Sequence, residues 1–198
     1  MTVEATRTRI LRAAARCIAQ TGVRGLRVGD VARQAGVSSG LLYYHFADRD
    51  GLLAATLAHV NETAWAGRGP APDAATDARR ALIDNLVEEL SDAAAIRDNA
   101  IAWNEIGASA VFDPALAAHL NESNRQWRDF VASAVRAGQT QGRIDAALEA
   151  EDFAITATAL VEGLSQRWLT GQLSTDEARR LLTTSLERGL GPPPTKPK

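Results

Sequence analysis

Val37-Ser38-Ser39-Gly40-Leu41-Leu42-Tyr43-Tyr44-His45-Phe46 decides the fold of this chain. It follows a short helical segment, residues 28–34, across a turn centred on Gly36. Two short helices joined by a tight glycine turn make a helix-turn-helix, and the second is tyrosine-rich and free of acids, as suits a helix that reads DNA. Helical spacing turns Val31, Val37, Leu42 and Phe46 inward and leaves Ser39, Gly40, Leu41, Tyr43, Tyr44 and His45 outward. Hydroxyls on that outer face suit phosphates and base edges.

A formal net charge of −2 over 198 residues looks wrong for a nucleic-acid binder until it is divided by position. Residues 1–50 hold eight arginines against Glu4, Asp30, Asp48 and Asp50, a net +4; the remainder holds 14 basic and 20 acidic residues, a net −6. Phosphate attraction is screened within about 10 Å at ordinary salt, so a basic head can work on an acidic body. The body then has another task. With 45% apolar and 23% charged residues the composition is that of a globular protein. A single cysteine, Cys17, excludes an internal disulfide and suits a reducing cytoplasm. Its helical neighbours Ile10, Ala13 and Ala14 make it a small core residue. No apolar run approaches the roughly 20 residues that span a bilayer, and the polar start, residues 2–9, lacks a signal-peptide core. The expectation is a cytoplasmic protein with no membrane partner.

Helical periodicity runs through every segment long enough to classify, which predicts an all-α chain of about nine helices. The first spans residues 4–21 with Ile10, Leu11, Ala14 and Ile18 on its stripe, and Gly22 stops it. Asp48 caps a fourth helix carrying Leu53, Leu57, Val60 and Ala64, and Pro70 and Pro72 then break the chain. A fifth, residues 74–91, buries Leu82, Leu86 and Leu90; a sixth carries Ile96, Ala100, Trp103 and Gly107. Asp113-Pro114 launches the seventh, to residue 139, with Leu116, Leu120, Asn124, Trp127, Val131 and Val135 along its inner face. The eighth, residues 149–170, presents Phe153, Ala157, Val161, Leu164 and Trp168. The ninth opens on Ser174-Thr175-Asp176-Glu177, which has capping-box spacing, and continues through Leu181, Leu182 and Leu186. Residues 191–198 are proline-rich with nothing apolar to bury and read as a disordered tail. The predicted division is a DNA-binding domain over 1–48, an effector-binding and dimerisation domain over 49–190, and that tail.

No catalytic pattern surrounds His45, His59 or His119, and neither a metal-ligand cluster nor a phosphate-binding glycine loop is present. The chain reads as no enzyme, with no cofactor and no metal. Its body does carry polar and aromatic groups where a filled bundle prefers aliphatics. Trp65, Trp103 and Trp127 are suited to wall a cavity, with Asn99, Asn124 and Glu162 to orient an effector and His59 nearby on the fourth helix. Indole faces favour a flat or cationic molecule. Tryptophans at helical spacing equally serve as core filler, and Glu162 can bond a neighbouring helix, so both readings stay open. The eighth and ninth helices are apolar enough to pack against a second copy as a four-helix interface.

Taken in order, the arginine-rich first helix, Asp30-Val31-Ala32, Ala35-Gly36-Val37-Ser38, Leu42-Tyr43-Tyr44-His45-Phe46 and Arg49-Asp50-Gly51-Leu52-Leu53 closely resemble the N-terminal domain of the TetR family of bacterial transcriptional regulators. The likeness covers residues 8–55; beyond it the chain is similar only in its helix count and in a pattern such as Val161-Glu162-Gly163-Leu164, and weakly. What the resemblance implies is a homodimeric repressor on double-stranded operator DNA with two-fold related half-sites, released by a small-molecule effector. It implies Ser39, Gly40, Leu41 and Tyr43 at base edges, Tyr44 and His45 on phosphate or nearby bases, and Arg49 on phosphate where the family usually has lysine. Ser38 reads as an N-cap ahead of a base reader. Where the family places Thr or Ser before the second helix, this chain has Arg27-Val28-Gly29; the cap is lost, yet the guanidinium can reach a phosphate. Against these stand tyrosines that merely close the small domain's core and a His45 without a phosphate partner. An activator, a regulator answering a protein partner, and a carrier or enzyme with an incidental basic head are the alternative functions.

Overall fold

A computed structural model describes residues 3–66 and 77–192, the side chains of residues 64–66 excepted. Among the described residues there are nine helices and no strand: α1 (Val3–Gly25), α2 (Val28–Ala35), α3 (Ser39–His45), α4 (Arg49–Ala66), α5 (Ala78–Glu88), α6 (Ala94–Ala110), α7 (Pro114–Thr140), α8 (Ala150–Leu169) and α9 (Thr175–Gly189). The proline break at Pro70 and Pro72, the first residues of the predicted fifth helix, and most of the predicted tail lie outside the described residues.

Local chemistry sets most of the helix ends. Gly36 takes φ 63° and ψ 43°, a left-handed conformation that glycine enters without steric cost, and its N–H closes α2 on Ala32 and Arg33. The Ser38 hydroxyl accepts from the Leu41 N–H at 3.1 Å and opens α3. Asp48 caps α4 through the Gly51 N–H at 2.7 Å, and Asp113 caps α7 through the amides of Ala115 and Leu116 at 3.0 and 3.1 Å. Ser174 and Glu177 form the reciprocal capping box of α9, and the Ser174 amide, then its hydroxyl, hold the Glu177 carboxyl below the usual carboxylate range. At Gly22 the first helix does break, with φ 71° and ψ 169°, but helical turns resume to Gly25.

The described residues fall into two compact units, drawn from Met1–Gly67 with Ala94–Ser123 and from Arg68–Ala93 with Asn124–Lys198. In the first unit Ile10, Leu11, Ala14 and Ile18 of α1 share one apolar cluster with Val31 and Ala32 of α2, Leu42 of α3, and Leu52, Leu53, Leu57 and Val60 of α4. Ala102, Ile106 and Ala110 of α6 are buried in the same cluster, so α4 and α6 belong with the helix-turn-helix. The inner face of α6 is therefore not the expected row of Ile96, Ala100, Trp103 and Gly107, all of which are only half-buried. Alanines on both sides of the helix leave its apolar stripe ambiguous by a residue or so, and tertiary packing chose. Thr56, fully buried on α4, satisfies its hydroxyl on the Leu52 carbonyl at 2.7 Å.

In the second unit α5 and α9 run antiparallel and exchange caps. Arg79, near the start of α5, donates to the Leu190 and Glu187 carbonyls at the end of α9, each at 3.2 Å. Arg179, near the start of α9, donates to the Leu90 carbonyl just past the end of α5 at 3.3 Å. Each cation meets the negative end of the other helix. Leu82, Leu86, Val161, Leu164, Trp168, Leu182 and Leu186 are buried here as their spacing predicts.

Candidate nucleic-acid interface

Within the first unit α3 separates its two faces cleanly. Leu42 is fully buried and Phe46 nearly so, while Tyr43 and Tyr44 are 52% and 77% exposed and Leu41 39%. Ser39 and Gly40 are exposed as well. The tyrosines therefore do not close the core; they stand out from it. His45 is half-buried with its ring edge-on to Tyr44, centroids 5.4 Å apart. Ser38 spends its hydroxyl on the helix cap. Behind this face the guanidinium of Arg7 lies 5.6 Å from the centre of the Phe46 ring, a cation–π contact between α1 and the end of α3 that sequence spacing did not announce.

Arg27 is exposed and occupies the N-cap position of α2 with no side-chain bond to it, as its residue type requires. A serine there would supply the missing acceptor. Arg27→Ser should stabilise the chain by about 1 kcal/mol, raising the melting temperature by roughly 2–4 °C, while weakening DNA binding and flattening its salt dependence by about one unit. Thermal melts beside DNA titrations at several salt concentrations check both halves; a tighter complex would count against Arg27 as a phosphate contact.

Arg49 has an unexpected occupation. Its Nη2 donates to the Val23 carbonyl at 2.5 Å and its Nε to the Leu26 carbonyl at 3.4 Å, and Nη1 lies 3.8 Å from Asp50. It ties the start of α4 to the last turn of α1 and to Leu26 just after it. The Val23 N–H is taken in turn by Glu105 of α6 at 3.1 Å. Neither partner was legible in the sequence, because each is a main-chain group remote in number.

Beneath the head Cys17 is buried, its thiol donating to the Gln34 side-chain oxygen at 2.8 Å; burial first, then Asp30, push that thiol up. The effector candidates are distributed over both units. His59 is half-buried on α4, and burial is the first cause holding its imidazole below the ordinary value, with Arg12 and Arg7 adding to it against Glu62. Asn99 and Trp103 are half-buried on α6, Trp103 packing against the apolar cluster. In the second unit Trp127 is 6% exposed and Asn124 and Glu162 are half-buried. The Trp65 side chain lies outside the described residues. No group of three or more His, Cys, Asp or Glu among the described residues could hold a metal ion, and no described helix is long and apolar enough to cross a membrane.

A capped turn, a second helix offering serine, leucine and tyrosine to solvent, and a basic surround define a helix-turn-helix transcriptional regulator. The pattern described as "Bacterial regulatory proteins, tetR family" matches residues 10–56, and that of "BetI-type transcriptional repressor, C-terminal" matches residues 79–191. The chain belongs to the TetR family. Among its relatives the transcriptional regulator BetI of Burkholderia thailandensis is 30% identical over 174 residues, covering 86% of this chain and 84% of that protein. A crystal structure of a TetR-family regulator from Rhodococcus sp. superposes with a TM-score of 0.88 at 44% identity, covering 95% of this chain and all of the other. A regulator from Saccharomonospora viridis in complex with choline gives 0.78 at 28% identity, covering 91% and 95%. The C-terminal match extends the likeness well beyond residue 55, where the N-terminal motifs end.

Proposed function

We propose that the chain is a cytoplasmic, non-catalytic homodimeric repressor that leaves its operator when it binds a small quaternary-ammonium cation of choline's class. The observation that carries this reading is the BetI-type match over residues 79–191, together with likeness to a choline-bound regulator. A quaternary ammonium has no proton to donate; it is recognised by aromatic faces and a nearby negative charge. Trp65, Trp103 and Trp127 are the aromatic candidates, Glu162 the acidic one, and Asn99, Asn124 and His59 the hydrogen-bonding candidates suited to a hydroxyl. On DNA, Ser39, Gly40, Leu41 and Tyr43 read base edges, with Tyr44, His45, Arg27 and Arg49 on phosphate and Ser38 holding the helix that presents them. Dimerisation through α8 and α9 is supported by Ile155, an aliphatic side chain left 49% exposed on α8. Two heads about 34–36 Å apart would then meet successive turns of one face of the duplex.

Duplexes selected by the chain from a random pool provide the test. Choline should quench tryptophan fluorescence and release the selected duplex over the same concentration range. Trp103→Ala should weaken choline about tenfold while leaving DNA affinity unchanged. Tight DNA binding indifferent to millimolar choline would reject the effector class and keep the regulator.

A further inference from the structure

Val23 is held from two sides. Its N–H donates to Glu105 Oε2 of α6 at 3.1 Å, and its carbonyl accepts from Arg49 of α4 at 2.5 Å. The preceding Gly22 stands at φ 71°, and a Cβ built there would lie 2.7 Å from the same Glu105 oxygen. The carboxylate thus sits on the last turn of α1, just past the break at Gly22, four residues before Arg27 and five before α2 begins. From these contacts we infer that Glu105 is the coupling residue through which a movement of α6 reaches the DNA-reading head.

Different contacts respond to displacement with different steepness. Ala102, Ile106 and Ala110 pack α6 into the apolar cluster, and apolar contact, being non-directional, survives a small shift in register. A charge-assisted hydrogen bond does not: beyond about 3.5 Å it is gone, and the amide turns to water. Glycine at position 22 leaves room for that close approach. Because the same residue is gripped by Arg49, losing the Glu105 bond frees that last turn of α1 on one side while α4 still holds the other. That turn then pivots about the Gly22 break, and α2 and α3 follow. Such a device gives α6 a route to the reading helix that does not pass along α4.

The inference rests on the reading of the chain as an operator-binding regulator, and it is tested without any effector. Amide exchange is followed in the full chain, alone and with a duplex selected from a random pool, for the wild type, Glu105→Gln and Glu105→Ala. Position 105 is exposed and helical, so alanine there is compatible with folding. In the free protein Glu105→Ala should speed exchange at the Val23 amide about tenfold, with Glu105→Gln between it and the wild type. Duplex binding should slow exchange along α6 severalfold in the wild type and leave α6 unchanged in Glu105→Ala, although the variant still binds. A merely structural Glu105 would lower the melting temperature but keep the response of α6 to DNA. Unchanged Val23 exchange, or an α6 response equal in all three proteins, overturns the coupling while sparing the regulator. A wild type that selects no duplex overturns both.

Discussion

Leu42→Ala should cost about 2–5 kcal/mol of stability and abolish operator binding near physiological temperature, although Leu42 touches no DNA. Its side chain is fully buried in the apolar cluster that α3 shares with α1, α2 and α4, and truncation leaves a cavity there. A loss of that size is a large part of the roughly 5–15 kcal/mol that holds a domain folded. The adjacent residue should behave in the opposite way. Tyr43 is half exposed, so Tyr43→Ala should move stability by less than about 0.5 kcal/mol yet reduce discrimination between the selected duplex and one altered at a single base pair by about 1–3 kcal/mol. Melting curves followed by circular dichroism, set beside DNA titrations with matched and altered duplexes, separate the two effects. A Tyr43→Ala protein that lost affinity equally for both duplexes would make Tyr43 a phosphate contact rather than a reader.

That contrast was legible in the sequence because it depends on local chemistry. Gly36 must turn left-handed, Ser38 must cap, and the 3.6-residue period then fixes which of Leu42 and Tyr43 faces inward. Asp48, Asp113 and the Ser174 capping box are of the same kind, each complete within four residues. The failures lie where position is decided by groups far apart in number. Nothing in the periodicity of α6 distinguishes a face through Ala102 and Ile106 from one through Ala100 and Trp103, since alanine supports either. Arg49 and Glu105 carry the same lesson for the site: their partners are the carbonyl and amide of one residue, and a backbone group leaves no mark in a sequence. Resemblance assigned Arg49 to phosphate, and its bonds to Val23 and Leu26 add a positioning task to that proposal.

Trp168→Ala should be the most damaging single change in the second unit, lowering stability by about 3–5 kcal/mol. The indole is 3% exposed near the end of α8, so its removal opens a large void. It also breaks a relay. Trp168 Nε1 donates to the Thr175 hydroxyl at 2.9 Å, and that hydroxyl donates to Asp92 at 2.6 Å, joining α8 to the first turn of α9 and to the chain after α5. Trp168→Phe separates the two contributions, because it keeps an aromatic ring and deletes the donor. It should cost about 1 kcal/mol for the bond and somewhat more for the smaller ring. At about 2–4 °C per kcal/mol for a chain of this size, alanine should lower the melting temperature by about 6–20 °C and phenylalanine by only a few degrees. If α8 and α9 form the dimer interface, Trp168→Ala should also raise the protein concentration needed for a dimer, because the paired faces of two loosened helices no longer hold a fixed register. Sedimentation at a series of concentrations, below the melting temperature of the variant, measures that shift. A Trp168→Ala protein that melts well below the wild type yet stays dimeric throughout would place the interface elsewhere on the chain.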